Sequence, residues 1–393
     1  MSIRIGPAPL SHAPASSGPA IAAAERIEPL ASADIPQVAS LFVAVFEHRE
    51  TLPSPDLAAY LARVFLQDAD AALPSLVARQ GERVVGFVGR VPLRFALADR
   101  AVTGALASTL MVNPRLASPL TGARLVRAFL SGPQSFSVGE TASEVSEAMW
   151  RSCGGRSLGL YSLDWIRLLN PAAFALATAS ARIPGLGRTG GLARAIDGAL
   201  RARAGERLRR WTHDGTAVIA ARAGAADEAI DPDDLAALAP AFVLRFPLRP
   251  AWAPETISAI VRDGARKARF GEPMHRVVRD RRGAPIGAFV MHGGPGRTGR
   301  VLQIFAAEGA TDIVVDLMLA RGAAAGLAAL RGRAQPWQID ALAARRCVFH
   351  KSLGTVVHSR DAAVLEAFAR GAAFFNGYAG ESWMRLTGDM FEA

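Results

Sequence analysis

Two patterns in this chain return at almost the same distance. Asp34-Ile35-Pro36-Gln37-Val38-Ala39-Ser40-Leu41-Phe42 aligns with Asp234-Leu235-Ala236-Ala237-Leu238-Ala239-Pro240-Ala241-Phe242, 200 residues on. Each reads as an aspartate N-cap that opens an amphipathic helix. The second pattern is a hairpin. Leu76–Val88 places apolar strands around Gln80-Gly81-Glu82, and His275–Val290 does so around Asp280-Arg281-Arg282-Gly283. Gly86 and Gly287 lie 201 residues apart, so both patterns share one offset. A chain of 393 residues suits two domains, and the offset makes them two copies of one mixed unit.

The first copy reads as helix 34–47, helix 55–67, a hairpin of 75–79 and 84–96, strand 104–112, helix 121–131, strand 135–140, helix 143–152 and strand 158–168. The second matches more weakly, with a long helix over 311–330, a strand at 355–359, a helix at 361–370 and a last strand at 382–386. Helices mixed with a central hairpin argue an α/β fold, of the α+β-like mixed-sheet kind. The expected division is a tail at 1–25, a first domain at 26–169, an Arg-rich linker at 170–215 and a second domain at 216–393.

Composition narrows the functional classes. No run of about 18 apolar residues is present, so no membrane-spanning helix is expected. Residues 1–24 are rich in Ala, Pro, Ser and Gly without an apolar stretch, which reads as a disordered tail and not a secretory signal. Cys153 and Cys347 are the only cysteines; two distant thiols fit a reduced, cytoplasmic protein. There is no Cys/His cluster at metal-ligand spacing, so no metal is expected.

The net charge of +10 is no nucleic-acid signature. Lys267 and Lys351 are the only lysines among 45 Lys and Arg residues, which with abundant Ala points to high-GC coding. Eight arginines against Asp197 and Glu206 fall between Arg182 and Arg210, so much of the excess is local. There Leu192, Ile196, Leu200 and Leu208 recur at near-helical spacing. This reads as a linker helix, or as a basic amphipathic helix able to lie on an anionic membrane.

The chemistry-bearing stretch is Leu110-Met111-Val112-Asn113-Pro114 running into Gly122-Ala123-Arg124-Leu125-Val126. It reads as a strand, a proline-marked exit, a loop, and a helix entered at glycine. Free N–H groups and the positive dipole end of such a helix suit a phosphate. With the hairpin before it and the strand after it, the stretch resembles the coenzyme A-binding core of the GNAT superfamily N-acetyltransferases, over Arg26 to Leu169. That resemblance implies two GNAT-like domains in tandem. It also implies acetyl-CoA or another acyl-CoA as co-substrate and direct attack of a primary amine on the thioester. Leu110, Met111 and Val112 would face the pantetheine.

The loop departs from the superfamily's Arg/Gln-x-x-Gly-x-Gly/Ala. Ala117 stands at the basic position, Ser118 and Leu120 replace glycines, and Pro119 removes a donor. Phosphate binding then falls to Gly122, Ala123 and Arg124, with Arg115 nearby. Trp150 stands where many members carry a tyrosine acid, and an indole cannot supply that proton.

The amine needs a base, because its pKa near 10 keeps it mostly protonated at neutral pH. Glu140 leaves a strand end beside the acyl site, and Glu47, with His48 and Glu50, follows the first helix on the acceptor side; these are the candidate bases. Cys153 reads as a buried inert thiol and His358 as a core histidine. Ser143 with Glu147, and Thr141 with Glu144, read as helix caps. His292-Gly293-Gly294-Pro295-Gly296 reads as turn chemistry. In the second copy Gln303–Ala307 is the equivalent strand, and the Glu308/Asp312 carboxylates that follow would repel a pyrophosphate. The acceptor would be a small-molecule or glycan amine, and the protein a monomer or homodimer. The rival reading is an inactive GNAT-like interaction or regulatory protein.

Overall fold

The computed structural model describes residues 24–49, 51–67, 70–180, 193, 195–199, 222 and 224–391. The tail and nearly all of the 182–210 segment, and with them the expectation of a membrane-lying helix, fall outside the described residues.

The first half begins with β1 (Arg26–Pro29), α1 (Ile35–Phe42) and α2 (Pro55–Ala62). Next come β2 (Leu76–Gln80), β3 (Arg83–Leu97) and β4 (Arg100–Val112). Then follow α3 (Thr121–Leu130), β5 (Phe136–Ala142), α4 (Glu144–Ser152), β6 (Arg156–Ser157), β7 (Leu163–Leu168) and α5 (Pro171–Ser180). The expected elements recur because their periods are strong. Gly81, at φ +60, turns the β2–β3 hairpin where an L side chain would be strained.

Some details differ. The two first helices end in π-helical turns at Val43–Glu47 and Arg63–Gln67. Asp34 precedes α1 but makes no cap bond to it; its carboxylate accepts from the Ala31 amide (3.0 Å) and pairs with Arg79 (2.5 Å). The expected strand 158–168 is broken by a 3-10 turn at Leu160–Ser162, because Ser162 Oγ donates to the Leu158 carbonyl and takes the Thr355 amide (2.8 Å).

The second half runs β8 (Ala225–Ala229), α6 (Pro232–Val243), β9 (Leu248–Pro250), α7 (Pro254–Ala265), β10 (Glu272–Asp280), β11 (Pro285–Gly293) and β12 (Thr298–Ala306). It continues through α8 (Thr311–Ala324), β13 (Ala329–Arg333), α9 (Ile339–Ala344), β14 (Val348–Lys351), β15 (Gly354–Ser359) and α10 (Ala362–Ala369). The cap of α6 is Asp231, whose carboxylate accepts from Asp233 N (2.8 Å); Asp234 sits in the first turn. The helix expected over 311–330 ends at Ala324, where the chain turns into β13. No strand forms at 382–386, whose residues lie in turns held by tertiary contacts.

The strands make two mixed sheets. The first has the order β1-β2-β3-β4-β5-β15-β6, with β9 on the end of β3; the second has β14-β7-β13-β12-β11-β10-β8. The sheets exchange strands. β7 pairs β13 and β14 in the second sheet, and β15 returns to pair β5 and β6 in the first. A cut between residues 169 and 216 therefore leaves neither sheet whole. The largest apolar core likewise draws on both halves, with Phe65, Phe95 and Phe136 packed in one cluster with Phe305, Phe368 and Phe374.

The glycines at the shared offset do the same job twice. Gly86 lies opposite Val112, the last residue of β4, and a Cβ there would press on Leu125 (2.9 Å) and Thr121 (3.1 Å) of α3. Gly287 lies opposite Ala306, the last residue of β12, and a Cβ there would collide with Val314 of α8.

Candidate functional site

Each sheet has one parallel pair at its centre, and each pair parts. β4 and β5 are bonded only at Gly104–Leu106 against Phe136–Val138. β12 and β13 are bonded at Thr298–Val301 against Ala329–Gly332. In β4 the parting coincides with an irregularity in its other ladder, where the register against β3 shifts between Phe87 and Gly89. Thr109 sits in that bulge with φ +50, a conformation uncommon for a β-branched residue. Its Oγ1 is buried and makes no hydrogen bond. A buried hydroxyl left unpaired costs about 1–3 kcal/mol, so the position is costly for the fold alone.

The residues expected to face an acyl carrier divide. Leu110 and Val112 are half-buried and pack with α3 and α4. Met111 points the other way and is buried in the large core. The strand period of two forbids all three from sharing a face.

At the entry to α3, Asn113 and Ser118 consume several loop donors. Asn113 Oδ1 takes the Arg115 amide, Asn113 O takes those of Leu116 and Ala117, and Ser118 takes those of Leu120 and Thr121. Among the described residues, the amides of Gly122 and Ala123 have no such partner. Gly122 is itself buried, and a Cβ there would press on Met149 Sδ (3.0 Å) of α4. Arg124 is exposed and grips Glu25, its Nη1 on the carboxylate (2.8 Å) and its Nη2 on the carbonyl (2.9 Å); Thr121 Oγ1 donates to the same carboxylate (2.5 Å).

The C-terminal segment, Asn376 to Arg385, threads between the two partings. Glu140, at the end of β5, is fully buried and accepts four bonds from it: the amides of Gly377 (3.2 Å), Glu381 (2.5 Å) and Ser382 (3.0 Å), and Ser382 Oγ (2.6 Å). Converging amides around a carboxylate form an anion nest. A Cβ at Gly380 would strike the same carboxylate. The segment is pinned further along. Lys267 Nζ, buried, donates to the Met384 and Thr387 carbonyls (both 2.7 Å), and Arg385 pairs with Asp56 (2.5 Å). Burial, with the charge of Arg300, pushes the Lys267 amine down to about 7.

Glu381 lies in the first parting. Thr141 Oγ1, from β5, donates to its carboxylate, and Ser108, from β4, donates to Met384 Sδ (3.5 Å) nearby on the same segment. Burial first, and then the charge of Glu140, push its pKa up to about 7; Thr141, Ser108 and Arg333 hold it from going higher. The other candidate base, Glu47, sits at the end of its π-turn near Arg269 (3.8 Å) and Arg49 (4.0 Å). No hydrogen bond or ion pair among the described residues joins it to Glu140 or Glu381.

Between β3, α7 and the C-terminal segment lies a cavity of about 610 Å³. Its walls include Leu93 and Phe95 of β3, Trp252, Glu255 of α7, and Tyr378 and Trp383 of the C-terminal segment. Tyr378 Oη is buried and without a hydrogen-bond partner.

Other sequence-singled residues are structural. Trp150 is buried against Phe129, with ring centroids 6.0 Å apart. Ser143 caps α4 by accepting from Ser146 N (3.2 Å), whereas Thr141 is engaged by Glu381 and caps nothing. Glu147 is buried with Lys351 (2.6 Å) and Ser157 (2.8 Å). Cys153 and His358 are half-buried: Cys153 packs on the apolar cluster from the end of α4, and His358 lies in β15 opposite Ser137 of β5. Asp312 pairs with Arg345, which also holds Asp316 (2.7 Å).

No family model matches the sequence, and no curated protein matches it. Solved structures do match. A GCN5-related N-acetyltransferase from Kribbella flavida aligns over 89% of this chain and 75% of its own, at 13% identity and a TM-score of 0.54. A protein from Enterococcus faecalis described as a probable N-acyltransferase aligns over 88% and 74%, at 8% identity and TM-score 0.57. A GCN5-related N-acetyltransferase from Anabaena variabilis aligns over 88% and 75%, at 9% identity and TM-score 0.57. The chain therefore has the fold of GCN5-related N-acetyltransferases: mixed α/β, with two mixed sheets.

Proposed function

We propose that the chain is an N-acyltransferase that moves an acetyl or other acyl group from coenzyme A to a primary amine by direct attack. The observation that carries this reading is the parting of β4 and β5, with the bulge at Thr109 and its unpaired buried hydroxyl. A parted pair leaves strand groups free on one edge, and a thioester laid along β4 completes it as a missing strand would. In this reading Leu110 and Val112 flank the pantetheine. The amides of Gly122 and Ala123, with Arg124, receive the pyrophosphate at the positive end of α3. The acceptor amine arrives from the cavity. The second unit closes the site and supplies the C-terminal segment, and Glu140 holds that segment in place. Calorimetric titration with acetyl-CoA tests the reading: saturable binding is expected, and none at near-millimolar ligand would overturn it.

Glu25 favours a second reading. Its carboxylate sits on Thr121 and Arg124, where a phosphate would bind. An acyltransferase-like interaction or regulatory protein could keep that contact permanently. Glu25→Ala separates the two: tighter acetyl-CoA binding fits the enzyme, and no binding in either form fits the rival.

A further inference from the structure

The parted strands of the first sheet meet again at the C-terminal segment. β5 contributes Thr141, which donates to the carboxyl of Glu381, and β4 contributes Ser108, whose Oγ donates to Met384 Sδ (3.5 Å) three residues further along the same segment. Glu381 belongs to neither strand. It is delivered by the C-terminal segment, whose backbone on either side of it is fixed: the Glu381 and Ser382 amides on Glu140, and Lys267 on the Met384 carbonyl. Two residues before it and two after it, Ala379 and Trp383 line the cavity. Thr141 is exposed, so the carboxyl lies one side chain inside the opening of the parted strands.

Resting on the acyltransferase reading above, we propose that Glu381 is the proton-transfer residue of the first parting, taking a proton from the attacking amine and returning it to the departing sulfur. The neutral amine's lone pair forms the C–N bond, and the carbonyl π pair moves onto oxygen. Glu381, as carboxylate, accepts one N–H proton from the nitrogen. The oxygen pair then re-forms the carbonyl, the C–S bond breaks, and its electron pair leaves on sulfur. The carboxyl returns its proton to that sulfur, giving an amide and a free thiol with Glu381 regenerated. One group thus serves as base and then acid, and supplies the acid that Trp150, packed on Phe129, cannot.

A carboxyl with a pKa near 7 suits both halves of that exchange at neutral pH. The charged groups that face it are Glu140 of β5, which raises its pKa, and Arg333 of β13, which lowers it; the hydroxyls of Thr141 and Ser108 stabilise the charged form. The cavity's flat apolar walls, Trp252, Trp383 and Phe95, set a usable probe: a primary amine on an aromatic body.

The test uses the full chain with acetyl-CoA and 2-phenylethylamine, reading thiol release from pH 5 to 9. Wild-type kcat should rise with pH through a limb near 7. E381Q, of nearly the same shape, should lose roughly 10²-fold or more in kcat, with the limb gone. Its KM for acetyl-CoA and its melting curve should show that the fold and the donor site are kept. T141V removes a bond that holds the Glu381 pKa down, so its limb should move to higher pH, which a merely structural role would not cause. E381Q with wild-type kcat and an intact limb overturns the proposal. So does a wild type that binds acetyl-CoA but never acetylates 2-phenylethylamine. Failure of the wild type to bind acetyl-CoA overturns instead the acyltransferase reading on which the proposal rests.

Discussion

The two partings are built alike and filled differently. In each sheet a β-hairpin leads into a strand that starts parallel to its neighbour and then diverges, with a helix rising from its end. In each, a glycine on the preceding strand lets that helix press close. The same C-terminal segment enters both. In the first it brings a carboxyl to the hydroxyl of Thr141, and its neighbours Ala379 and Trp383 line a cavity. In the second it brings its own backbone: the Tyr378 amide bonds Gln303 Oε1 (2.9 Å), and Gly377, at φ +62, lies so close that a Cβ would strike Gln303. Phe305 and Phe374 then stack at 5.8 Å and 7° beside it. One parting holds a buried carboxyl against a hydroxyl; the other is filled by backbone and stacked aromatic rings. On the proposed reading, the chemistry lies at one parting and the packing at the other.

The largest expected effect comes from cutting the link between them. Glu140→Ala would leave three buried amides and a hydroxyl without an acceptor, at about 1–3 kcal/mol each. Denaturant unfolding should show a loss of several kcal/mol, and a loss under 1 kcal/mol would mean that the nest does not hold the segment. Phe305→Ala should cost about 3–5 kcal/mol by the same measurement, because it empties the aromatic filling of the second parting. It should leave acetyl-CoA affinity within a few-fold, since the filled side takes no part in binding.

A subtler effect is pH-dependent. Glu381 has a folded pKa of about 7 against an ordinary 4.5, so the folded chain holds its proton longer than the unfolded one. Stability from the neutral carboxyl is present below about 4.5 and is lost as pH rises through 7. E381Q, which never charges, should melt with wild type at pH 4.5 and above it at pH 8. Equal melting at pH 8 would mean that burial does not raise the Glu381 pKa. Smallest is Glu25→Ala, expected to tighten acetyl-CoA binding about two- to five-fold, the scale of one partly exposed charge at a helix start.

How much of this was legible in the sequence follows from where each feature's cause lies. The β2–β3 hairpin, the run of β4 into α3, and the shared offset of Gly86 and Gly287 are local patterns, so period and turn chemistry disclose them. The exchange of β7 and β15 is non-local: nothing in Leu163–Leu168 says which sheet will bond it. Glu381 was missed for the same reason. Residues 376–391 have no helical or strand period, and they are ordered by Glu140, Gln303 and Lys267, each distant in sequence. The one available signal was a glycine-rich, aromatic run, Asn376-Gly377-Tyr378-Ala379-Gly380, with an acidic residue at its end. Glu140 was legible as a carboxylate near a strand end beside the helix cap. What it holds was not.

The claim that one copy carries the chemistry is tested most directly by counting ligands. Calorimetry of the full chain with acetyl-CoA should give one molecule per chain. Ala123→Asp places a carboxylate in the first turn of α3, where it favours the helix and repels a pyrophosphate, and it should abolish that binding with the fold kept. Two molecules per chain, or binding that survives Ala123→Asp unchanged, would contradict the account.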